Sequence, residues 1–161
     1  MSVVHVKKSQ ILTTFPKWGH SYKVEFDITV NEVPTAEWTN IFHFTKGENL
    51  RRLGDRIPAA WINSRGYIQI SSSVNQNKDV YIHYDDFTIG KKHHYTIQQL
   101  PDSDGLMKFT IEIDGKVMKS MVNNNPQDYE NVKLYVSDPW HDSFQTRYGK
   151  LENLHAYQDC F

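Results

Sequence analysis

Two short segments of the chain join turn-forming residues to a tryptophan and to polar side chains, and each could hold a hydroxylated ligand. The first is Ser137-Asp138-Pro139-Trp140-His141-Asp142. Asp138-Pro139 sets a turn after an apolar run, so Trp140 falls in a loop among Asp138, His141 and Asp142. An outward indole offers an apolar platform, and the flanking carboxylates and imidazole supply the few directional hydrogen bonds that orient a polar ligand. Two carboxylates with no thiolate suit a hard cation. Asp138 and Asp142 are therefore the expected ligands if Ca2+ binds, zinc is not expected, and no cofactor is required. The second segment runs from Gly54 through Asp55, Arg56, Ile57 and Pro58 to Trp61, with Asn63 beyond it; Asp55 and Arg56 are its candidates for ligand binding. For either tryptophan the alternative is a side chain folded back to cap the core, with Asp138 bonding the amides of its own turn.

Other chemistry finds less support. Glu112 and Asp114 alternate as an acid and a nucleophile would on one strand face, where retention of configuration needs the carboxyls about 5 Å apart. Asp114-Gly115, however, is the pair a type I′ hairpin turn demands, and Lys116 stands where a third acid would. Glu112 then reads as a solvent-facing strand residue, and no catalytic residue is assigned. The eight histidines contain no His-Glu-X-X-His, and the adjacent His93 and His94 point to opposite faces of a strand. His43 and His83, each between apolar neighbours, read as satisfied core or solvent-facing strand histidines. Ser71-Ser72-Ser73 lacks a nucleophile elbow, and Lys91-Lys92-His93-His94 reads as a solvated sheet edge. The single Cys160 cannot form an internal disulfide, which leaves pairing between chains open.

These residues need a scaffold, and the composition indicates which kind. Val, Ile, Thr, Tyr, Phe and Trp supply 55 of the 161 residues against 12 for Ala and Leu, which rules out a helical bundle. A net charge of -1 without asymmetry removes nucleic acid as a partner, and no apolar run of about 18 residues is present for membrane insertion. From Tyr22 to Val30 apolar and polar residues alternate with a period of two, one face for a core and one for water. Phe109–Ile113 and Lys116–Val122 form a hairpin about Asp114-Gly115. Further strands are expected at Val3–Val6, Trp38–Thr45, Ile57–Ile62, Tyr67–Ser72, Val80–Tyr84, His94–Gln98, Val132–Val136 and Leu151–Tyr157, with single helical turns at Leu50–Leu53 and Thr35–Glu37. About ten short strands at this spacing, with no amphipathic helix between them, predict one all-β domain over residues 1–161. Its expected architecture is a two-sheet antiparallel sandwich.

With Trp38–Phe44, Gly54–Trp61, Ile111–Lys116, Asn131–Trp140 and the closing Gly149-Lys-Leu-Glu-Asn-Leu154 in view, the chain resembles the concanavalin A-like lectin/laminin G superfamily. Within it the resemblance is to the laminin G-like jelly-roll modules of animal extracellular and matrix proteins. The resemblance implies an extracellular domain that binds a glycan or a glycosylated protein, often with Ca2+ on a rim loop; some relatives are glycosidases. The leading expectation is a noncatalytic recognition module acting through Asp55, Arg56, Trp140, His141 and Asp142. A protein-interaction or self-assembly module, assembling as a homo-oligomer through a sheet face or edge, comes second, and a glycoside hydrolase of β-glucanase type third.

Overall fold

The computed structural model describes residues 2–158; Cys160 lies outside the described residues. Among the described residues thirteen strands follow one another: β1 (Val3–Val4), β2 (Ile11–Trp18), β3 (Tyr22–Val30), β4 (Trp38–Thr45), β5 (Ala59–Asn63), β6 (Tyr67–Val74), β7 (Asn77–Tyr84), β8 (Lys92–Pro101), β9 (Met107–Ile113), β10 (Lys116–Val122), β11 (Tyr129–Tyr135), β12 (Asp142–Ser143) and β13 (Gly149–Gln158). They form a six-stranded sheet, β1-β13-β3-β8-β9-β10, and a seven-stranded sheet in which six strands run in the order β2-β11-β4-β5-β6-β7 and β12 is the seventh, paired parallel with β4; every other pairing is antiparallel. This is the two-sheet antiparallel sandwich that the strand spacing predicts, with the jelly-roll form that the resemblance implies. Among the described residues no helix forms, and the segments 35–37 and 50–53, expected as helical turns, are bends and turns.

β3 shows how the pattern becomes a fold. Tyr22, Val24, Phe26, Ile28 and Val30 are buried, and the residues between them are half-buried, so the strand puts one complete apolar face between the sheets. There Phe26 stacks on Tyr95 of β8 at 5.1 Å and meets Phe42 of β4 edge-on at 4.7 Å, joining the two sheets through aromatic contacts. The β9–β10 turn has φ of 52° at Asp114 and 79° at Gly115, the left-handed pair a type I′ turn requires.

Two expectations change. The basic run Lys91–His94 is not at a sheet edge: it leads into β8, which pairs with β3 on one side and β9 on the other. Its His93 does turn inward and its His94 outward, as strand alternation requires. β2 was not expected, because it is mostly exposed and carries Pro16. It is an edge strand, and the ladder passes from Glu130↔Lys17 to Val132↔Phe15, skipping Pro16, which has no N–H to give.

Candidate functional site

The outward face of the seven-stranded sheet is set by strand register. Trp61 of β5 pairs with Gln69 of β6 and Gln69 with His83 of β7, so these three side chains form one row pointing away from the core; Ala60, Ile70 and Ile82 form the adjacent row pointing in. A groove of about 310 Å³ runs over the outward row. Trp61 and Gln69 are its buried floor; Asp79, Tyr81 and His83 rise on one side, Trp38 and His141 on the other, and Arg56 closes one end.

Polar groups in the groove are held in fixed orientations. His83 donates from Nε2 to Gln69 Oε1 at 2.8 Å, and Gln69 Nε2 donates to Ser71 Oγ at 3.0 Å. The His83 ring stacks between Tyr67 at 4.1 Å and Tyr81 at 5.0 Å, with interplanar angles of 28° and 30°. Arg56 lays its guanidinium over the Trp61 ring, 4.3 Å from its centroid, while Nη1 donates to Asp79 Oδ1 at 2.8 Å and Nη2 to Asn49 Oδ1 at 3.1 Å. Tyr81, 48% exposed, offers an open aromatic surface in the groove.

Behind the floor lies a buried polar cluster. His43 of β4 is wholly buried; its Nε2 donates to the Asp55 carbonyl at 2.6 Å, and its Nδ1 faces Asp138 Oδ2 at 2.8 Å. Because Nε2 must donate to a carbonyl, the Nδ1 contact requires a second proton shared between ring and carboxylate. Burial works against a charged His43 and pushes it below the ordinary histidine value, while the Asp138 carboxylate pulls the other way. Asp138 Oδ1 accepts the amides of Trp140 and His141, each at 3.0 Å, and His141 Nδ1 lies 2.8 Å from Oδ2. Burial alone would raise this carboxyl; hydrogen bonds from His141 and His43 outweigh it and hold Asp138 well below the usual carboxylate range.

Of the residues singled out in the sequence, Arg56 and His141 therefore meet in one groove, although 85 positions separate them. The others take different places. Asp55, expected to bind ligand, is 1% exposed and holds its own loop: its carboxylate accepts the amides of Arg51 at 2.7 Å, Arg52 at 2.9 Å and Glu48 at 3.3 Å. Trp140, expected as the platform, is 36% exposed but lies outside the groove lining, edge-on to His43 at 5.4 Å and Tyr135 at 5.9 Å. Asp142 is exposed on β12, beside Thr39 of β4.

The calcium expectation for Asp138 and Asp142 does not fit this donor arrangement. Ca2+ needs six to eight oxygens, about as many as a dedicated loop can supply, and Asp138 turns both of its oxygens to N–H donors. No group of three or more potential metal ligands converges among the described residues. Asp114 likewise gives no partner to Glu112: its Oδ2 lies 2.6 Å from His93 Nδ1, and its Oδ1 accepts the His94 amide at 2.9 Å.

Gln69, Asp79, Tyr81, His83 and Trp38 were not singled out as site residues from the sequence. The available signal was the β7 alternation, which puts Tyr81 and His83 on the face opposite Val80, Ile82 and Tyr84 and so leaves aromatic rings where polar residues are usual.

No protein-family model matches the chain, and no curated protein matches it. Among solved structures, the chain superposes on a heptameric SAP-like pentraxin from Limulus polyphemus at 14% identity, with a TM-score of 0.58 over 91% of this chain and 67% of that one. The binding domain of botulinum neurotoxin serotype D gives 15% identity and a TM-score of 0.58, over 89% of this chain but 34% of its own length. Sheep galectin-11, solved with glycerol, gives 12% identity and a TM-score of 0.50 over 94% and 98% of the two chains. The fold is the two-sheet jelly-roll sandwich these proteins share.

Proposed function

We propose that the domain is a noncatalytic module that binds a glycan, free or on a protein, in the groove over Trp61 and Gln69. The observation that carries this reading is the composition of that groove: a concave 310 Å³ site that combines an exposed aromatic wall, Tyr81 and His83, with oriented polar groups from Arg56, Asp79, Gln69 and His141. A sugar presents apolar C–H faces edged by hydroxyls that both donate and accept, and such a surface matches rings set among a guanidinium, a carboxylate and imidazoles. The galectin and pentraxin likenesses support the fold such binding uses. The separate commitments of Asp114 to His93 and His94 favour binding over hydrolysis, since they leave Glu112 without a second carboxylate. We place the domain outside the cell on the same reading.

A glycan array probed with the full chain tests this, with Tyr81→Ala as the groove variant. Specific signals that Tyr81→Ala removes, that EDTA leaves unchanged and that come without reducing-sugar release from soluble β-glucans are the expected result. An array without specific signal, or a signal indifferent to Tyr81, overturns it.

A further inference from the structure

Among the residues that line the groove, Arg56 supplies a guanidinium and Asp79 a carboxylate, and the two are bonded to each other at 2.8 Å. Arg56 is an unusual groove residue: it is 7% exposed, stacked on Trp61, tied to Asn49, and its Nε has no hydrogen-bond partner. A guanidinium so buried, with donors unused, would be the natural seat for a carboxylate or sulfate on a ligand. Asp79 already occupies that role with one oxygen, while Oδ2 takes no hydrogen bond from the described residues. The end of the groove therefore offers guanidinium donors and a carboxylate acceptor side by side with no net charge. A hydroxyl can accept from the first and donate to the second; an anionic group would meet the Asp79 charge at close range.

From this arrangement we infer that the groove selects uncharged saccharides, reading adjacent hydroxyls through the Arg56–Asp79 pair, and that Asp79 is the specificity residue that turns away saccharides bearing carboxylate or sulfate. The inference rests on the glycan reading above and names the ligand class of that site. At the start of β7 the Asp79 amide donates to Asn77 Oδ1 at 2.9 Å, and the Asp79 carboxylate reaches Arg56 across β6.

The test is the pair of affinities for neutral and for sialylated or uronate-bearing glycans, measured on the full chain with and without Asp79→Asn. The wild type should bind neutral glycans and discriminate against the anionic ones. Asp79→Asn keeps the shape but releases the Arg56 charge, so it should raise affinity for the anionic glycans by about tenfold or more and lower it for the neutral ones. The gained binding should weaken as NaCl is raised, and Asp79→Glu should restore the neutral preference. A thermal melt of each variant separates a specificity change from a folding defect; where Asp79→Asn melts early, Asp79→Ser carries the comparison. Wild-type binding that is indifferent to ligand charge, or a neutral-to-anionic ratio that Asp79→Asn leaves in place, overturns this inference and leaves the glycan reading standing. No glycan binding by either protein overturns the glycan reading, and the inference falls with it.

Discussion

Replacing Asp138 by alanine removes one side chain and four hydrogen bonds at once. The carboxylate is wholly buried and receives His43 Nδ1, His141 Nδ1 and the amides of Trp140 and His141. His141 and the loop amides are near enough to the surface to recover part of their loss from water. His43 is not, and a buried partner stripped of its counter-group costs about 3–5 kcal/mol. For a domain of this size about 1 kcal/mol moves the midpoint by about 2–4 °C, so Asp138→Ala should lower Tm by roughly 10 °C. Asp138→Asn, which keeps an oxygen for the two amides and loses only the charge, should fall between the variant and the wild type. Differential scanning calorimetry at pH 7 gives the number. A fall of less than about 3 °C for Asp138→Ala would show that the cluster is not holding the loop, and the argument would fail. The pH dependence follows the same logic. The folded carboxyl is depressed, so its stabilising contribution is whole above the ordinary carboxylate range near pH 4 and is lost progressively as pH falls from there through the folded value.

Gly115→Val should destabilise the domain by about 1–3 kcal/mol through strain alone, since φ is 79° and the space a side chain would enter is open; an unchanged melt contradicts the turn's role. Trp140→Ala should cost about 2 kcal/mol for the lost edge contacts with His43 and Tyr135 yet leave glycan affinity within about twofold, and a titration showing lost binding would return Trp140 to the site. Asp128 is held below the usual carboxylate range chiefly by its hydrogen bond with His20, so His20→Ala should move its carboxyl titration upward, followed by ¹³C NMR; a curve that stays put contradicts that cause. Because the folded carboxyl is the depressed one, the stability it lends is present above about pH 4 and drains away as pH falls through the folded value.

What could be read before the structure depended on whether the information was local. β3 was legible to the residue because its alternation and its burial are the same fact, and the β9–β10 turn was legible because Asp114-Gly115 answers a backbone requirement. β2 was not, since an exposed edge strand needs no apolar period and a proline argues against it. The two loops were recognised as rich in chemistry, but an aspartate in a turn looks the same whether it faces a ligand or its own amides, and Asp55 and Asp138 both face inward. The groove was out of reach for a different reason. Its far wall is β7, and only the ladder through β6 brings His83 opposite Trp61, with Tyr81 two residues along on the same face.

His43 fastens the Asp55 carbonyl with one nitrogen and the Asp138 carboxylate with the other, partners 12 and 95 residues away along the chain. The loop behind the first carries Arg56, at the end of the groove, and the loop behind the second carries His141, on its side. A single imidazole therefore acts as the pin that sets the gauge between them. Neither loop can shift outward without drawing on the other, so a ligand that presses on Arg56 is resisted in part by the segment that bears His141, and the opening should widen or hold as one piece.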